Sequence, residues 1–158
     1  MYNEFTNKKL GEVRAFALVT ADTLETGKEA LQTVLDPEVY ASLIDVCMMH
    51  QKQIDGMVEA HGDMNILVTK SDKTADKLKS MRELYIGDQW HNPTEILEWS
   101  SFFHGAASAH WALIRGIGEG RNDEGLISLA EEAMNTHHEF LDTISSELDQ
   151  VGQDKAMA

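Results

Sequence analysis

Apolar residues recur along the chain at alternating steps of three and four, which keeps them on one face of a helix. Four such stripes predict helices over about 9–34, 37–60, 93–117 and 123–149. On the second and fourth stripes the predicted core positions include His50 and His137. On the third stripe they run through Ile96, Trp99, Phe103, Ala106 and His110, which places Trp111 off the buried face.

Two prolines mark helix starts. Pro37 follows Asp36 and Pro93 follows Asn92. Proline fits the first helical position because its missing N–H would have no partner there, and Asp or Asn before it can accept hydrogen bonds from the free amides. Glu95 lies three residues after Asn92, as in a capping box. The sequence therefore predicts that helices begin at both prolines.

The connections predict how the helices are arranged. The first and second helices, and the third and fourth, are joined by short segments, which favour antiparallel hairpins. Residues 62–91 form a longer connection whose serine cap and helical spacing predict a shorter helix crossing between the hairpins. No strand-length alternation of polar and apolar residues occurs. We expect one all-α domain spanning 1–158, with a core over about 9–149, most simply a four-helix bundle.

Composition narrows the classes of partner. Thirteen basic and 27 acidic residues give a net charge of −14, which disfavours binding to nucleic acid or to an anionic membrane surface. The single cysteine, Cys47, excludes an internal disulfide. Neither a secretory signal nor an apolar run of bilayer length is evident, so we expect a cytoplasmic protein.

Two segments resemble the ferritin-like superfamily of four-helix bundles, in particular small bacterial ferritin-like proteins whose function is undefined. They are DTLETGKEALQTVLDPEVYASL in the first hairpin and NDEGLISLAEEAMN at the start of the last helix. The resemblance implies two helical hairpins with a long crossover connection. In di-iron members it also implies Glu-x-x-His motifs, but no glutamate here has histidine three positions later. This difference argues against a di-iron oxidase or peroxidase.

Three histidines, His50, His110 and His137, are predicted to lie at comparable heights in the core, one on each of three helices. Imidazoles that meet between helices could bind a transition metal, and Cys47, Asp22 or Glu25 could complete a mixed ligand set for zinc or iron. Interior histidines also serve purely structural roles, paired with a hydroxyl, a carboxylate or water. The sequence leaves both interpretations open.

Three classes of function follow. The first is a ferritin-like bundle that binds a metal ion through interior histidines, in a binding or stress-protection role. The second is a cofactor-free structural or interaction module, in which aromatic residues such as Trp90, Phe102 and Trp111 form a homodimer interface. The third is a di-iron oxidase or peroxidase. We assign no catalytic residue.

Overall fold

The protein is built from helices alone. The computed structural model describes residues 1–158 and contains no strand, which confirms the all-α prediction. The six helices are α1 (Glu4–Thr26), α2 (Lys28–Leu31), α3 (Pro37–His61), α4 (Met64–Ile86), α5 (Pro93–Arg121) and α6 (Glu124–Met157). None of them combines the length and the apolar character that a membrane crossing needs.

Both proline-marked helix starts are confirmed. α3 begins at Pro37 and α5 at Pro93, and the Asn92 side chain accepts a hydrogen bond from the Thr94 amide. The cap expected at Asp36 is not formed: its side chain accepts no hydrogen bond from the first amides of α3. The proline and its fixed backbone angle therefore begin α3 without help from the preceding carboxylate.

The predicted first helix is two helices in the structure. α1 ends at Thr26, Gly27 caps it, and the single turn of α2 follows. A Cβ atom at Gly27 would lie 2.9 Å from the Ile96 side chain of α5. The break therefore lies where α5 packs against the chain, and a side chain at position 27 would require Ile96 to move, which is a tertiary contact that local spacing does not reveal.

The predicted short crossing helix is a full-length helix. α4 begins at Met64 because the Asp63 carboxylate accepts hydrogen bonds from the Asn65 and Ile66 amides. Ser71, which the sequence offered as a cap, is buried inside the helix. α4 ends at Gly87, whose φ of 58° is a left-handed conformation that favours glycine.

α4 runs parallel to α1 along its outer side. Lys70 pairs with Glu12 at 3.1 Å, and Arg82 pairs with Asp22 at 2.7 Å, so positions increase together along both helices. The crossover connection thus spans the length of the molecule as one helix, and it returns the chain to the end from which α5 starts.

α3 and α5 run antiparallel to α1. Arg14 of α1 pairs with Asp55 at 2.7 Å, and the Tyr40 hydroxyl donates to the Leu24 carbonyl at 2.8 Å. On the α5 side, the rings of Phe16 and Phe103 lie 4.9 Å apart. α6 then packs antiparallel along α5, whereas α3 and α6 approach each other at few points. Both predicted antiparallel pairs are present.

α1 is surrounded by α3, α4 and α5, so it is buried on several sides instead of along one stripe. Small residues let the neighbouring helices approach. A Cβ at Gly11 would lie 2.7 Å from the Leu67 carbonyl oxygen and 2.9 Å from the Lys70 Cβ. Gly11 therefore marks a position where the backbones of α1 and α4 lie close together.

We expect Gly11→Ala to destabilise the protein by about 1 to 3 kcal/mol, because its new methyl group must displace backbone atoms of α4. Gly56→Ala on α3 is the matched control, since a Cβ there meets nothing within 4 Å. That change should raise stability by up to about 1 kcal/mol through helix propensity alone. Urea unfolding of the two variants measures both effects, and equal changes would show that α4 does not pack on Gly11.

Candidate functional site

Three histidines form a layer across the middle of the core. His50 of α3, His104 of α5 and His137 of α6 are only 3%, 5% and 6% exposed. One apolar cluster, which contains Phe103 and Ile144, lies on one side of this histidine layer. A second cluster, which contains Ile54 and Trp111, lies on the other side, so the layer separates two halves of the core. Both clusters consist of hydrophobic residues alone, so the three histidines form a polar layer between two apolar regions.

His104 and His137 are in direct contact. Their Nδ1 atoms are 2.9 Å apart and their ring centroids 5.1 Å apart. As neutral rings they form one N–H···N hydrogen bond, in which one Nδ1 carries the proton and the other accepts it. The same separation is also that of two nitrogen atoms bound to one metal ion at a right angle, given bonds of about 2.0 to 2.1 Å.

His50 completes the layer without bonding to it. Its ring centroid lies 6.2 Å from that of His137 and 5.6 Å from that of Trp111. Its Nε2 atom is buried and has no hydrogen-bond partner. Leaving a buried polar atom unpaired costs about 1 to 3 kcal/mol, so this nitrogen is a feature that apolar packing alone does not explain.

Burial keeps all three imidazoles neutral. It lowers the pKa of His50 and lowers that of His104 to about 4. The pKa of His137 falls further, mainly through burial and then through the neighbouring charges that protonated His104, His50 and His138 would carry. Neutral imidazole is the form that binds metals, so protonation does not prevent these rings from ligating in the physiological pH range.

His110, which the sequence placed in the core, lies elsewhere. Its side chain is 41% exposed, its Nδ1 donates to the Ala106 carbonyl at 2.8 Å, and its ring packs 4.9 Å from that of Phe16. Its Nε2 lies 4.0 Å from Glu12. The structure therefore brings together His50 and His137 as predicted, but with His104 in the position expected for His110.

The shift of the α5 stripe by one residue also changes the aromatic residues. Trp99 and Phe103 are buried, as predicted, but Trp111 is only 1% exposed and packs against His50, so its assignment to the outer surface is wrong. Trp90 is partly buried against the Arg82 guanidinium, 5.0 Å from the ring. Of the three aromatic residues expected at an interface, only Phe102 is largely exposed, at 63%.

Cys47 lies one turn before His50 and is buried. Burial raises the pKa of its thiol to about 12, despite a hydrogen bond with Thr20 that lowers it. The thiol is therefore protonated at neutral pH and behaves as a small apolar group unless a metal displaces its proton.

The two carboxylates predicted to complete the ligand set do not face the histidine layer. Asp22 lies against α4, where it pairs with Arg82 and with Lys79 at 3.5 Å. Partial burial opposes ionisation of Asp22, but the hydrogen bond and charge of Arg82 outweigh it and lower its pKa. Glu25 is exposed. Both carboxylates thus lie on the outer side of α1, away from the histidine layer.

A small cavity adjoins the layer. Its volume is about 30 Å³, enough for a water molecule, and its walls are mainly apolar. His104 lines it together with Thr20, Ser100 and Phe140. The Nε2 atom of His104 makes no hydrogen bond within the protein, since its one bond is through Nδ1. Space beside this ring is therefore available to a ligand or solvent.

In the structure, no group of three or more His, Cys, Asp or Glu side chains is arranged to hold a metal ion. The three histidines lie in one layer but do not converge on one point. Comparisons with protein-family models, with curated proteins and with solved structures gave no match.

Proposed function

We propose that this protein is a ferritin-like helical bundle that binds one transition-metal ion at the histidine layer. The observation that carries the proposal is the 2.9 Å separation of the His104 and His137 Nδ1 atoms. Two nitrogen ligands at a right angle on one ion have this spacing. The pair can accept an ion when the donor ring carries its proton on Nε2 instead of Nδ1, which leaves both rings neutral, and when both rings turn so that their Nδ1 lone pairs point at the ion.

His50 is the third ligand in this proposal. Its unpartnered Nε2 gains a partner when the ring turns toward the pair, which relieves the cost of a buried unpaired nitrogen. An all-imidazole set suits zinc, iron, copper or nickel. The cavity beside His104 gives room for a water molecule at a remaining coordination position.

A cofactor-free structural role is the second candidate. The observation that favours it is the same His104–His137 contact, which is a complete hydrogen bond without any ion. Di-iron oxidation is the least favoured, because no Asp or Glu forms a hydrogen bond or ion pair with the three histidines of the layer. Carboxylates supply most ligands in ferritin-like di-iron centres.

Thermal unfolding with and without zinc or ferrous iron tests the metal proposal. A ligand at 100 times its dissociation constant stabilises the folded state by about 2.7 kcal/mol, a measurable rise in Tm. We expect the rise for the parent and its loss in His50→Gln, His104→Gln and His137→Gln. Elemental analysis of protein purified without a histidine tag should show about one ion per chain.

His110→Gln and His91→Gln are matched controls, because both histidines lie outside the layer and should leave the metal-induced rise unchanged. Binding should persist to about pH 5, since the lowered pKa of His104 keeps that ring neutral, whereas surface histidines lose metal near pH 6. If metal does not raise the Tm of the parent, or if His110→Gln loses the rise as fully as the layer variants, the structural role is favoured over metal binding.

A further inference from the structure

The solvent side of α5 carries a second apolar stripe, opposite the one that faces the core. Residues 99–114 contain no Asp, Glu, Lys or Arg, in a chain with 25% charged residues. Phe102 and Leu113 are 63% and 42% exposed. The exposed positions between and after them are the small residues Gly105, Ala106, Ala109, Ala112 and Gly116. We call these seven residues the α5 face.

Two glycines of the α5 face have no explanation within the chain. Gly105 and Gly116 lie inside a helix, where glycine is less favourable than any residue except proline. A Cβ atom at either position would meet nothing within 4 Å. By contrast, Gly118 on the core side is required by a close contact with Ile127. Gly56 on α3 is open in the same way, so what distinguishes Gly105 and Gly116 is their place on one uncharged face with Phe102 and Leu113.

The α5 face is complementary to itself. Phe102 and Gly116 lie equally far from Ala109 on either side, as do Gly105 and Leu113. When two copies of α5 cross antiparallel at Ala109, each large side chain therefore meets a glycine of the other copy. Such reciprocal contacts are the property of an interface around a twofold axis.

We propose that the α5 face is the interface of a homodimer, with the twofold axis passing near Ala109. This inference is independent of the histidine layer. A face of about 21 Å in length is continuous with exposed apolar residues of α4, because the Tyr85 ring lies 5.4 Å from that of Phe102. Met81 and Leu84, 48% and 88% exposed, extend this patch toward the roughly 800 Å² per partner that a stable dimer buries.

Charge restricts the surface through which a second copy can bind. Each chain has a net charge of −14, so two copies can only meet through a surface that brings no carboxylates together. The α5 face fulfils this condition, whereas α6 carries carboxylates on its solvent side from Glu124 to Asp154. A basic partner would instead be expected to bind where the carboxylates are.

The molecular mass in solution tests the proposal. Sedimentation equilibrium over a range of concentrations should give twice the 17.7 kDa chain mass for the parent. Ala109→Glu places two like charges opposite each other at the twofold axis, so it should weaken dimerisation at least about 100-fold. Ala41→Glu adds the same charge at an exposed position of α3 and should leave the dimer intact.

Cysteine cross-linking locates the interface directly. Ala109→Cys should form a disulfide-linked dimer on mild oxidation, and Ala41→Cys should not. The native Cys47 is buried and does not compete. The proposal would be overturned by a parent protein that stays monomeric at 100 times the protein concentration of the urea and thermal unfolding experiments. It would also be overturned by a dimer that survives Ala109→Glu and gives no cross-link at position 109, since such a dimer would use another surface.

Discussion

The free energy of unfolding is expected to fall by about 4 kcal/mol between pH 7 and pH 5. Burial lowers the pKa of His104 to about 4 and that of His137 further, whereas both titrate near 6.5 in the unfolded chain. Below pH 6.5 the unfolded chain therefore binds two protons at these positions that the folded protein does not, and the lowered pKa of His50 adds to the difference. The free energy of unfolding therefore decreases as the pH is lowered, by up to about 2.7 kcal/mol per pH unit for these two histidines.

Urea unfolding at pH 8, 7, 6 and 5 measures this fall. His104→Gln should reduce it by about a third to a half, because the proton on His104 no longer differs between the states. His91→Gln removes an exposed histidine and should leave the fall unchanged. The lowered pKa values of Glu12 and Asp22 act only below their ordinary values of 4.5 and 3.8, outside this range. Constant stability from pH 7 to pH 5 would mean that the histidines protonate in the folded state.

Trp111→Ala is expected to destabilise the protein by about 3 to 5 kcal/mol. The indole is among the largest fully buried side chains, 1% exposed, and its removal leaves a cavity beside His50. Met48→Ala on α3 is the control, since Met48 is 63% exposed and its truncation should change stability by no more than about 0.5 kcal/mol. Similar, small losses in both variants would place Trp111 on the surface and the buried stripe of α5 one residue earlier.

Helix starts were predictable because their causes are local. Pro37 and Pro93 each act through the backbone geometry of their own residue, and Asn92 adds a cap before Pro93, so neighbours in sequence suffice. The full length of α4 has a tertiary cause, a surface of α1 on which α4 packs along its length, and at Gly27 a side chain of α5 lies against the end of α1. The spacing of apolar residues within one segment reveals neither of these contacts between helices.

The sequence predicted core histidines on three helices, but it did not identify which histidine of α5 belongs to the layer. After Phe103, a step of three leads to Ala106 and His110, whereas a step of four leads to Ala107 and Trp111. Both paths keep a helical spacing, and alanine at either first step gives no preference. The signal that separates them is bulk: the second path contains a tryptophan at the position where the first contains a histidine.

The central position of α1 also determines how the chain can assemble during synthesis. α1 packs on both α3 and α4, and all three lie within residues 4–86, so this part of the chain can assemble as a unit before α5 is complete. That unit leaves the side of α1 around Phe16 uncovered until Phe103 arrives. The two halves of the histidine layer then meet only when α5 and α6 dock as a hairpin onto this exposed surface.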